Sequence, residues 1–255
     1  MLEYKNTHIV KTLLSVWAWM MVAFAGILGF ILQVLTIILT MGFDQKKMLS
    51  GRIFRLAAVV SAKLNPLWQF SVFGKVPRKI GAAVVISNHC SNSDAFLISH
   101  LPWEMKWVAK RSLFKIPIVG WSMWLSGDIA MKRQEKKSIE EAMNVCKAYL
   151  SQGVPVILFP EGTRSKTDEM LPFKDGAFRL AIETGVPILP IAVAGTLEAL
   201  PKNNWRFNQA SAMVAVGEHI ATSGMTIEDL SDLKERTRKA VSVIRERIRA
   251  KLNAS

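Results

Sequence analysis

Residues 87–94 combine an imidazole and a carboxylate at a spacing that suits general base catalysis. His89 and Asp94 are separated by a stretch rich in Ser and Asn, residue types typical of a turn or a helix N-cap. The spacing lets the carboxylate of Asp94 fold back onto an imidazole nitrogen, fix its tautomer and stabilise the imidazolium. A loop histidine beside a capping aspartate gives the same pattern, so this pair alone does not establish a catalytic site.

A second polar segment carries the residues expected of an anion-binding turn. It contains a carboxylate, a glycine, a hydroxyl and a guanidinium in succession: Glu161, Gly162, Thr163 and Arg164. Arginine presents a planar fork that matches phosphate or carboxylate. Ordinary turns use the same residue types, so this segment alone is a weak signal.

The elements around both motifs place them together. Residues 82–87 and 154–159 are short apolar runs that predict buried parallel strands. His89 and Glu161 each follow one of these runs closely. Because ligands bind outside the carboxyl ends of strands in open α/β sheets, we expect the two motifs at one edge of a sheet.

The rest of the chain alternates strands and helices, which predicts an α/β fold with a single, mostly parallel mixed sheet flanked by helices. The other predicted strands cover 70–75, 105–109, 128–131, 188–193 and 212–217. The predicted helices cover 94–100, 117–125, 137–151 and 176–184, followed by a basic helix near the C-terminus. We predict an N-terminal apolar helical membrane anchor over 1–64 and one catalytic domain over 65–255.

In combination the two motifs are specific. The sequence N-H-x4-D followed by F-P-E-G-T-R-S resembles the glycerolipid acyltransferase family, and most closely the 1-acylglycerol-3-phosphate acyltransferases. Two further blocks of that family occur in order, at 109–120 and 186–193, and the resemblance covers roughly residues 70–220.

The resemblance implies transfer of a fatty acyl group from a thioester to the sn-2 hydroxyl of lysophosphatidic acid, forming phosphatidic acid. His89 is then the general base and Asp94 its orienting partner. Arg164 and Lys110 would hold the acceptor phosphate, with Arg111 as the alternative to Lys110. Thr163 belongs to the same substrate loop, and the resemblance implies phospholipid biosynthesis as the process.

The roles of two residues in the loop stay open. Glu161 binds the glycerol hydroxyl, holds Arg164, or is a buried partner of the loop backbone. Gly162 lets the backbone approach the ligand, and its N–H is one candidate donor to the oxyanion. An acyl tunnel or ordinary core are the two alternatives for the apolar side chains of Phe114, Ile116, Trp121 and Trp124.

The resemblance implies no cofactor other than the acyl donor, which is acyl-CoA or acyl-acyl carrier protein. Another lysolipid or glycerol 3-phosphate is the alternative acceptor. A membrane-bound thioesterase using water or Cys90 is less favoured, because a G-x-S-x-G elbow is missing. A basic membrane scaffold would leave His89 and Asp94 unexplained. No metal site is predicted, since the histidines lack metal-ligand spacing.

The charge and the N-terminus indicate a membrane partner. The net charge is +13, and no nucleic-acid motif accompanies it, so we expect an anionic phospholipid surface and no nucleic acid. Residues 13–43 carry no charge and would form a helix of about 46 Å, against a hydrocarbon core of about 30 Å.

Two arrangements of this anchor stay open. One tilted span is the first, and a two-helix hairpin dipping into one leaflet, as the resemblance allows, is the second. For the hairpin, Gly26 and Gly29 could bend the chain and Asp44 could cap a second helix that ends near Leu64. The cations beyond the apolar stretch outnumber those before it, which predicts a catalytic domain facing the cytoplasm.

Overall fold

The computed structural model describes residues 2–201 and 204–254, with side chains from residue 8 onward. Met1 and Ser255, the outer ends of the two predicted segments, lie outside the described residues. The helices are α1 (Leu2–Thr40), α2 (Met48–Leu64), α3 (Asp94–Ile98), α4 (Val119–Ser126), α5 (Lys136–Ser151), α6 (Gly176–Thr184) and α7 (Leu230–Asn253). The strands are β1 (Trp68–Phe73), β2 (Val84–Ser87), β3 (Lys106–Lys110), β4 (Ile129–Met131), β5 (Val156–Leu158), β6 (Ile188–Ala194) and β7 (Ala210–Val216).

The strands form one sheet in the order β1-β7-β6-β2-β5-β3-β4. Its pairs are parallel except for β6 with β7, which are antiparallel. The predicted mixed α/β sheet is therefore confirmed, and every predicted strand exists with ends shifted by a few residues. The position of β2 between β6 and β5 explains why all four of its residues are buried.

Helices cover the two faces of the sheet with separate cores. On one face, α5, α6 and α7 pack against alternate residues of the strands, while α3 packs on the other face. In α7 three apolar side chains are fully enclosed, those of Leu233, Val241 and Ile248. The C-terminal helix is thus a packed helix with an exposed basic side.

The N-terminal segment folds as a helical hairpin. α1 continues unbroken through Gly26 and Gly29, so these glycines do not bend it. At Gly29 a Cβ atom would lie 2.7 Å from the Cβ of Ala57, which explains glycine at this contact between α1 and α2. Asp44 accepts hydrogen bonds from the backbone N–H of Met48 and of Leu49, both at 2.8 Å. The predicted second helix and its cap are confirmed.

The apolar stripe of α2 faces outward. Leu49, Leu56 and Val60 are exposed, whereas the buried residues of α2 are small or polar: Ser50, Gly51, Arg55, Ser61 and Ala62. A helix whose apolar side points away from the protein body needs another apolar medium to cover it.

Candidate active site

His89 and Asp94 lie at the carboxyl edge of the sheet. The chain leaves β2 at Ser87 and turns into α3, which begins at Asp94. This turn brings Nδ1 of His89 to 2.7 Å from Oδ2 of Asp94. The predicted imidazole–carboxylate contact therefore exists, at the sheet edge where ligands of open α/β folds bind.

The carboxylate of Asp94 accepts further hydrogen bonds at both of its oxygens. Its Oδ2 also accepts the backbone N–H of Cys90 and of Ser91, both at 2.9 Å. Its Oδ1 accepts the hydroxyl of Thr196 at 2.5 Å. The carboxylate is fully buried, and hydrogen bonds to buried charged acceptors are the stronger class in proteins. Asp94 consequently has one position, and it fixes the imidazole in one orientation.

The His89 ring is enclosed on one side and accessible on the other. It stacks on Phe159, with ring centroids 4.2 Å apart and planes inclined by 25°. The side chain keeps 16% of its surface exposed. Since Nδ1 bonds Asp94, Nε2 is the nitrogen left for a substrate, and it has no hydrogen-bond partner within the described residues. This arrangement is the one a general base needs.

Glu161 holds the backbone of the histidine loop. Its Oε1 accepts the N–H of His89 at 2.7 Å, and its Oε2 accepts the N–H of Leu171 at 2.9 Å. Burial raises the pKa of Glu161, and those two N–H groups partly offset the effect. These contacts favour the third role that the sequence left open, a buried partner of the loop backbone.

Two residues that position the site were given no role from the sequence, although Asn88 is part of the N-H-x4-D motif. Asn88 bonds both the carbonyl and the N–H of Val193, at 3.0 and 2.9 Å, and so ties the turn to β6. Thr196 follows β6 at a turn where Gly195 has a φ of +85°. A hydroxyl two residues beyond an apolar strand gives no signal of its own, because its partner Asp94 is 102 residues away.

The predicted phosphate ligands reach the same edge of the sheet. Lys110 ends β3 and Arg164 follows β5, and these strands are neighbours in the sheet. Lys110 and Thr163 are exposed and Arg164 is half-buried. Among the described residues none of them has a side-chain hydrogen bond or ion pair, so both cations are free to meet an anionic ligand.

Gly162 is needed for the turn, and its N–H is already used. The residue has a φ of +71°, which favours glycine. Its N–H donates to the carbonyl of Phe159 at 3.0 Å. This N–H is therefore committed within the turn, contrary to the candidate role as an oxyanion donor.

Cys90 is unsuited to act as a nucleophile. Its thiol lies 3.1 Å from the hydroxyl of Thr196 and 3.7 Å from Oδ1 of Asp94. Burial, and then the charge of Asp94, raise the pKa of the Cys90 thiol far above its ordinary value. Because the thiolate is the reactive form, this thiol is inert near neutral pH.

The chain is similar in sequence to known acyltransferases. A family model described as Acyltransferase matches residues 70–194. A 1-acyl-sn-glycerol-3-phosphate acyltransferase of Haemophilus influenzae is 32% identical over 177 residues, covering 67% of this chain and 72% of that protein. The human alpha enzyme of the same name is 37% identical over 163 residues, covering 63% of this chain and 58% of that protein.

A third relative, a 1-acyl-sn-glycerol-3-phosphate acyltransferase of Chlamydomonas reinhardtii, is 37% identical over 142 residues. The match covers 55% of this chain, and the chain spans only 43% of that relative. The crystal structure of the Thermotoga maritima acyltransferase PlsC superposes with a TM-score of 0.70 at 24% identity, covering 93% of this chain and 97% of that one. It supports the fold.

The protein is an α/β protein with a helical N-terminal hairpin and a His-Asp pair at the carboxyl edge of its sheet. The chain belongs to the acyltransferase family that includes the Haemophilus influenzae enzyme.

Proposed function

We propose that the protein transfers a fatty acyl group from a thioester to the sn-2 hydroxyl of 1-acylglycerol 3-phosphate, forming phosphatidic acid. The observation that carries the proposal is the 2.7 Å contact between Nδ1 of His89 and Asp94. Lys110 and Arg164 lie at the same edge of the sheet and have no ion pair within the described residues. The choice of 1-acylglycerol 3-phosphate as the acceptor is supported by family membership and by the names of the relatives.

The chemistry needs a base at the acceptor. An alcohol stays protonated at neutral pH, whereas the thioester is already activated, so the missing component is a group that removes the hydroxyl proton. Nε2 of His89 takes that proton as the oxygen attacks the thioester carbonyl. The C–S bond then breaks, and the imidazolium returns the proton to the departing thiolate. Positioned bases typically contribute about 10²–10⁴-fold.

Asp94 acts through the imidazole. Its carboxylate keeps the proton on Nδ1, which leaves Nε2 as the acceptor nitrogen, and it stabilises the imidazolium that forms. Glu161 supports this geometry by bonding the N–H of His89. Both substrates meet in one ternary complex, so no acyl-enzyme is required.

The acceptor phosphate places its hydroxyl against His89. Arg164 provides a bidentate fork and Lys110 a second charge, with Arg111 as the neighbouring alternative. The acyl donor is coenzyme A or an acyl carrier protein. A thioesterase acting through Cys90 is disfavoured by its buried, high-pKa thiol.

The exposed apolar faces of α1 and α2 indicate membrane association. Contacts along α1 support a hairpin lying in one leaflet. Thr12 bonds Arg206 and Gln33 bonds Ser126, so about 32 Å of the helix lies along the catalytic body. A helix held over that length is better suited to the interface than to crossing the bilayer.

A cytoplasmic catalytic face remains part of the proposal. It is supported by the cations that follow the apolar stretch, of which Lys46 is exposed and Lys47 and Arg52 are half-buried. Arg55 no longer counts toward this asymmetry, because the structure buries it.

An assay of the purified protein in detergent tests the function. The acceptors are lysophosphatidic acid, lysophosphatidylcholine, lysophosphatidylethanolamine and glycerol 3-phosphate, each with acyl-CoA and with acyl-acyl carrier protein. We expect turnover to be greatest with lysophosphatidic acid. Preference for glycerol 3-phosphate, or thioester hydrolysis that no acceptor increases, would reject the proposal.

A further inference from the structure

A group of apolar side chains is exposed just beyond the active-site end of β3. Of the large apolar side chains after α2 that are exposed in the described residues, nine in number, five lie within residues 113–124. We call these five the Trp121 patch: Leu113, Ile116, Val119, Trp121 and Trp124. Trp121 and Trp124 expose 51% and 54% of their surface. Ordinary core, one alternative from the sequence, is therefore excluded for both.

The Trp121 patch continues the apolar surface of α1. The ring centroid of Trp121 lies 5.8 Å from that of Phe30 on α1. Cγ2 of Ile118 lies 3.9 Å from the position that a Cβ on Gly26 would occupy. Contiguous exposed apolar surface of this kind is rare on soluble monomers and marks an interaction site. The patch and the anchor helix thus form one surface.

The segment that carries the Trp121 patch contains charges of a single sign. Residues 105–127 contain no Asp or Glu. Lys110, Arg111 and Lys115 are exposed at its edge. Tryptophan bodies, aliphatic side chains and flanking cations are the combination that settles at the boundary between headgroups and acyl chains. Clustered exposed cations also favour anionic lipids, and Glu135 is an acidic residue that feels the charge of Arg111.

The backbone of this region is held in an unusual conformation. Ile118 has a φ of 64°, which is strained for a β-branched residue. The reversal joins the 3₁₀ helix Arg111–Lys115 to α4, and both of these elements expose apolar side chains. Packing of α4 against α1 and α2 keeps the turn in place.

We propose that the Trp121 patch inserts into the headgroup–acyl boundary of an anionic phospholipid leaflet, as a second membrane contact beside the α1–α2 hairpin. Lys110, at the end of β3, then lies at the level of the lipid headgroups. The inference goes beyond the proposed reaction and does not depend on it, because it concerns where the protein body contacts the membrane.

Spin labels report the insertion depth directly. The protein is labelled with a nitroxide through Trp121→Cys, and matched labels are placed through Phe24→Cys on α1 and Val145→Cys on α5. Labelling of the parent protein measures any background from the native Cys90 and Cys146. Each protein is reconstituted on vesicles of phosphatidylcholine with phosphatidylglycerol, and collisions with oxygen and with a water-soluble nickel chelate are compared.

We expect oxygen to collide with the labels at 121 and 24 more often than the nickel chelate does, with the opposite result at 145. The proposal would be overturned if the label at 121 collided with the nickel chelate as often as the label at 145 does, while the label at 24 collided mainly with oxygen. If the label at 24 also collides mainly with the nickel chelate, the protein does not associate with the membrane through α1, and the proposal is rejected as well.

The charge requirement is tested with the same label at 121. We expect phosphatidylglycerol to shift the label deeper than phosphatidylcholine alone does. The double change Arg111→Gln and Lys115→Gln should abolish this shift, and Arg236→Gln with Lys239→Gln on the exposed side of α7 should leave it intact. An equal loss in both double variants would show a general charge effect and reject specific contact at the patch.

Discussion

Two buried groups of charged residues stand at opposite edges of the same sheet, and they differ in how completely they are satisfied. At the carboxyl edge, Asp94 accepts hydrogen bonds from His89, Thr196 and two backbone N–H groups. At the amino edge, Arg55, Glu104, Lys106 and Asp128 meet where α2 packs on the sheet. There Arg55 bonds Asp128 at 2.5 Å, while neither oxygen of Glu104 has a hydrogen-bond partner within the described residues.

The two groups therefore differ in role. The first positions the imidazole of His89, and the second attaches α2 to the sheet. A fully satisfied buried network has one low-energy arrangement, which is what a catalytic pair requires. A network with unpaired atoms costs free energy, and its cost changes when one member is protonated. Glu104 lies 3.8 Å from Arg55 and 3.7 Å from Lys106, yet burial raises its pKa to about 7. Substitutions at the first network should therefore lower activity, and substitutions at the second should change stability.

The largest effect in this series is expected for Asp94→Asn. Asparagine keeps the shape of the side chain, but it loses the negative charge that stabilises the imidazolium, and its NH₂ replaces one of the two accepting oxygens. We expect turnover to fall on the order of 10³-fold, since the corresponding change in a Ser-His-Asp triad costs about 10⁴-fold. The measurement is the steady-state rate of acyl transfer with saturating substrates.

A matched variant separates chemistry from folding. Asp229→Asn removes a carboxylate that caps a backbone N–H far from the site, and it should keep full turnover. Thermal unfolding of both variants is recorded alongside. If Asp94→Asn loses activity only in proportion to a lost folded fraction, the carboxylate has a structural role alone.

A smaller effect is expected for Arg164→Ala, and it concerns binding. Charge-assisted contacts are worth about 1.5–3 kcal/mol, so the KM for the acceptor should rise roughly 10–150-fold. The KM for the donor should change little, and Arg164→Lys should recover only part, because an ammonium lacks the planar fork. Arg179→Ala, on the exposed side of α6, is the control. A selective rise in the donor KM would assign Arg164 to the coenzyme instead.

Thr196→Val removes one donor to Asp94 and keeps the shape of the side chain. A hydrogen bond to a charged group is worth about 1.5–3 kcal/mol, and other donors still hold Asp94, so kcat should fall about tenfold with the acceptor KM unchanged. Thr196→Ser should restore the rate. Thr222→Val deletes another buried hydroxyl, which bonds Val186 at 2.8 Å, and should not change kcat. Equal losses in both valine variants would mean that Thr196 contributes stability only.

At the amino edge, Glu104→Gln should leave turnover nearly unchanged and alter stability. Between about pH 4.3 and about pH 7 the unfolded chain releases a proton that folded Glu104 keeps. The free energy of unfolding of the parent therefore falls as the pH rises through that window. Glutamine mimics the neutral acid, so the variant should lose this slope and be more stable at pH 8 by on the order of 3 kcal/mol.

Thermal unfolding of parent and variant from pH 5 to pH 8 provides the comparison, with the exposed Glu235→Gln as control. Identical pH dependence in parent and Glu104→Gln would show that Glu104 is ionised throughout the range, and that its two cationic neighbours outweigh burial.

The carboxyl edge could be predicted from the sequence to the extent that its interacting residues are close in the chain. His89 and Asp94 are five residues apart, and an apolar strand before them points to the sheet edge. The long-range contacts could not be predicted in the same way. Thr196 and Asn88 contact partners more than 100 residues away, and their residue types occur in any loop.

At the amino edge, the sequence predicts the helix α2 but not which of its sides is buried. Arg55 lies off the apolar stripe of α2, a position normally exposed on a helix that packs on a protein core. In the structure the side of α2 that carries Arg55 is buried, and the apolar stripe is exposed. An amphipathic sequence distinguishes the two faces of a helix but not the medium that each face meets, so a membrane-facing helix inverts the usual assignment.

The central claim is that His89 acts as the base on the acceptor hydroxyl, and one measurement tests it most directly. Purified His89→Ala is compared with the parent in single-turnover acyl transfer to lysophosphatidic acid, and acceptor binding is measured separately. We predict that the rate falls by at least about 10³-fold while acceptor affinity is unchanged, because the base acts in the transition state. Near-normal turnover by a folded His89→Ala protein would contradict the account.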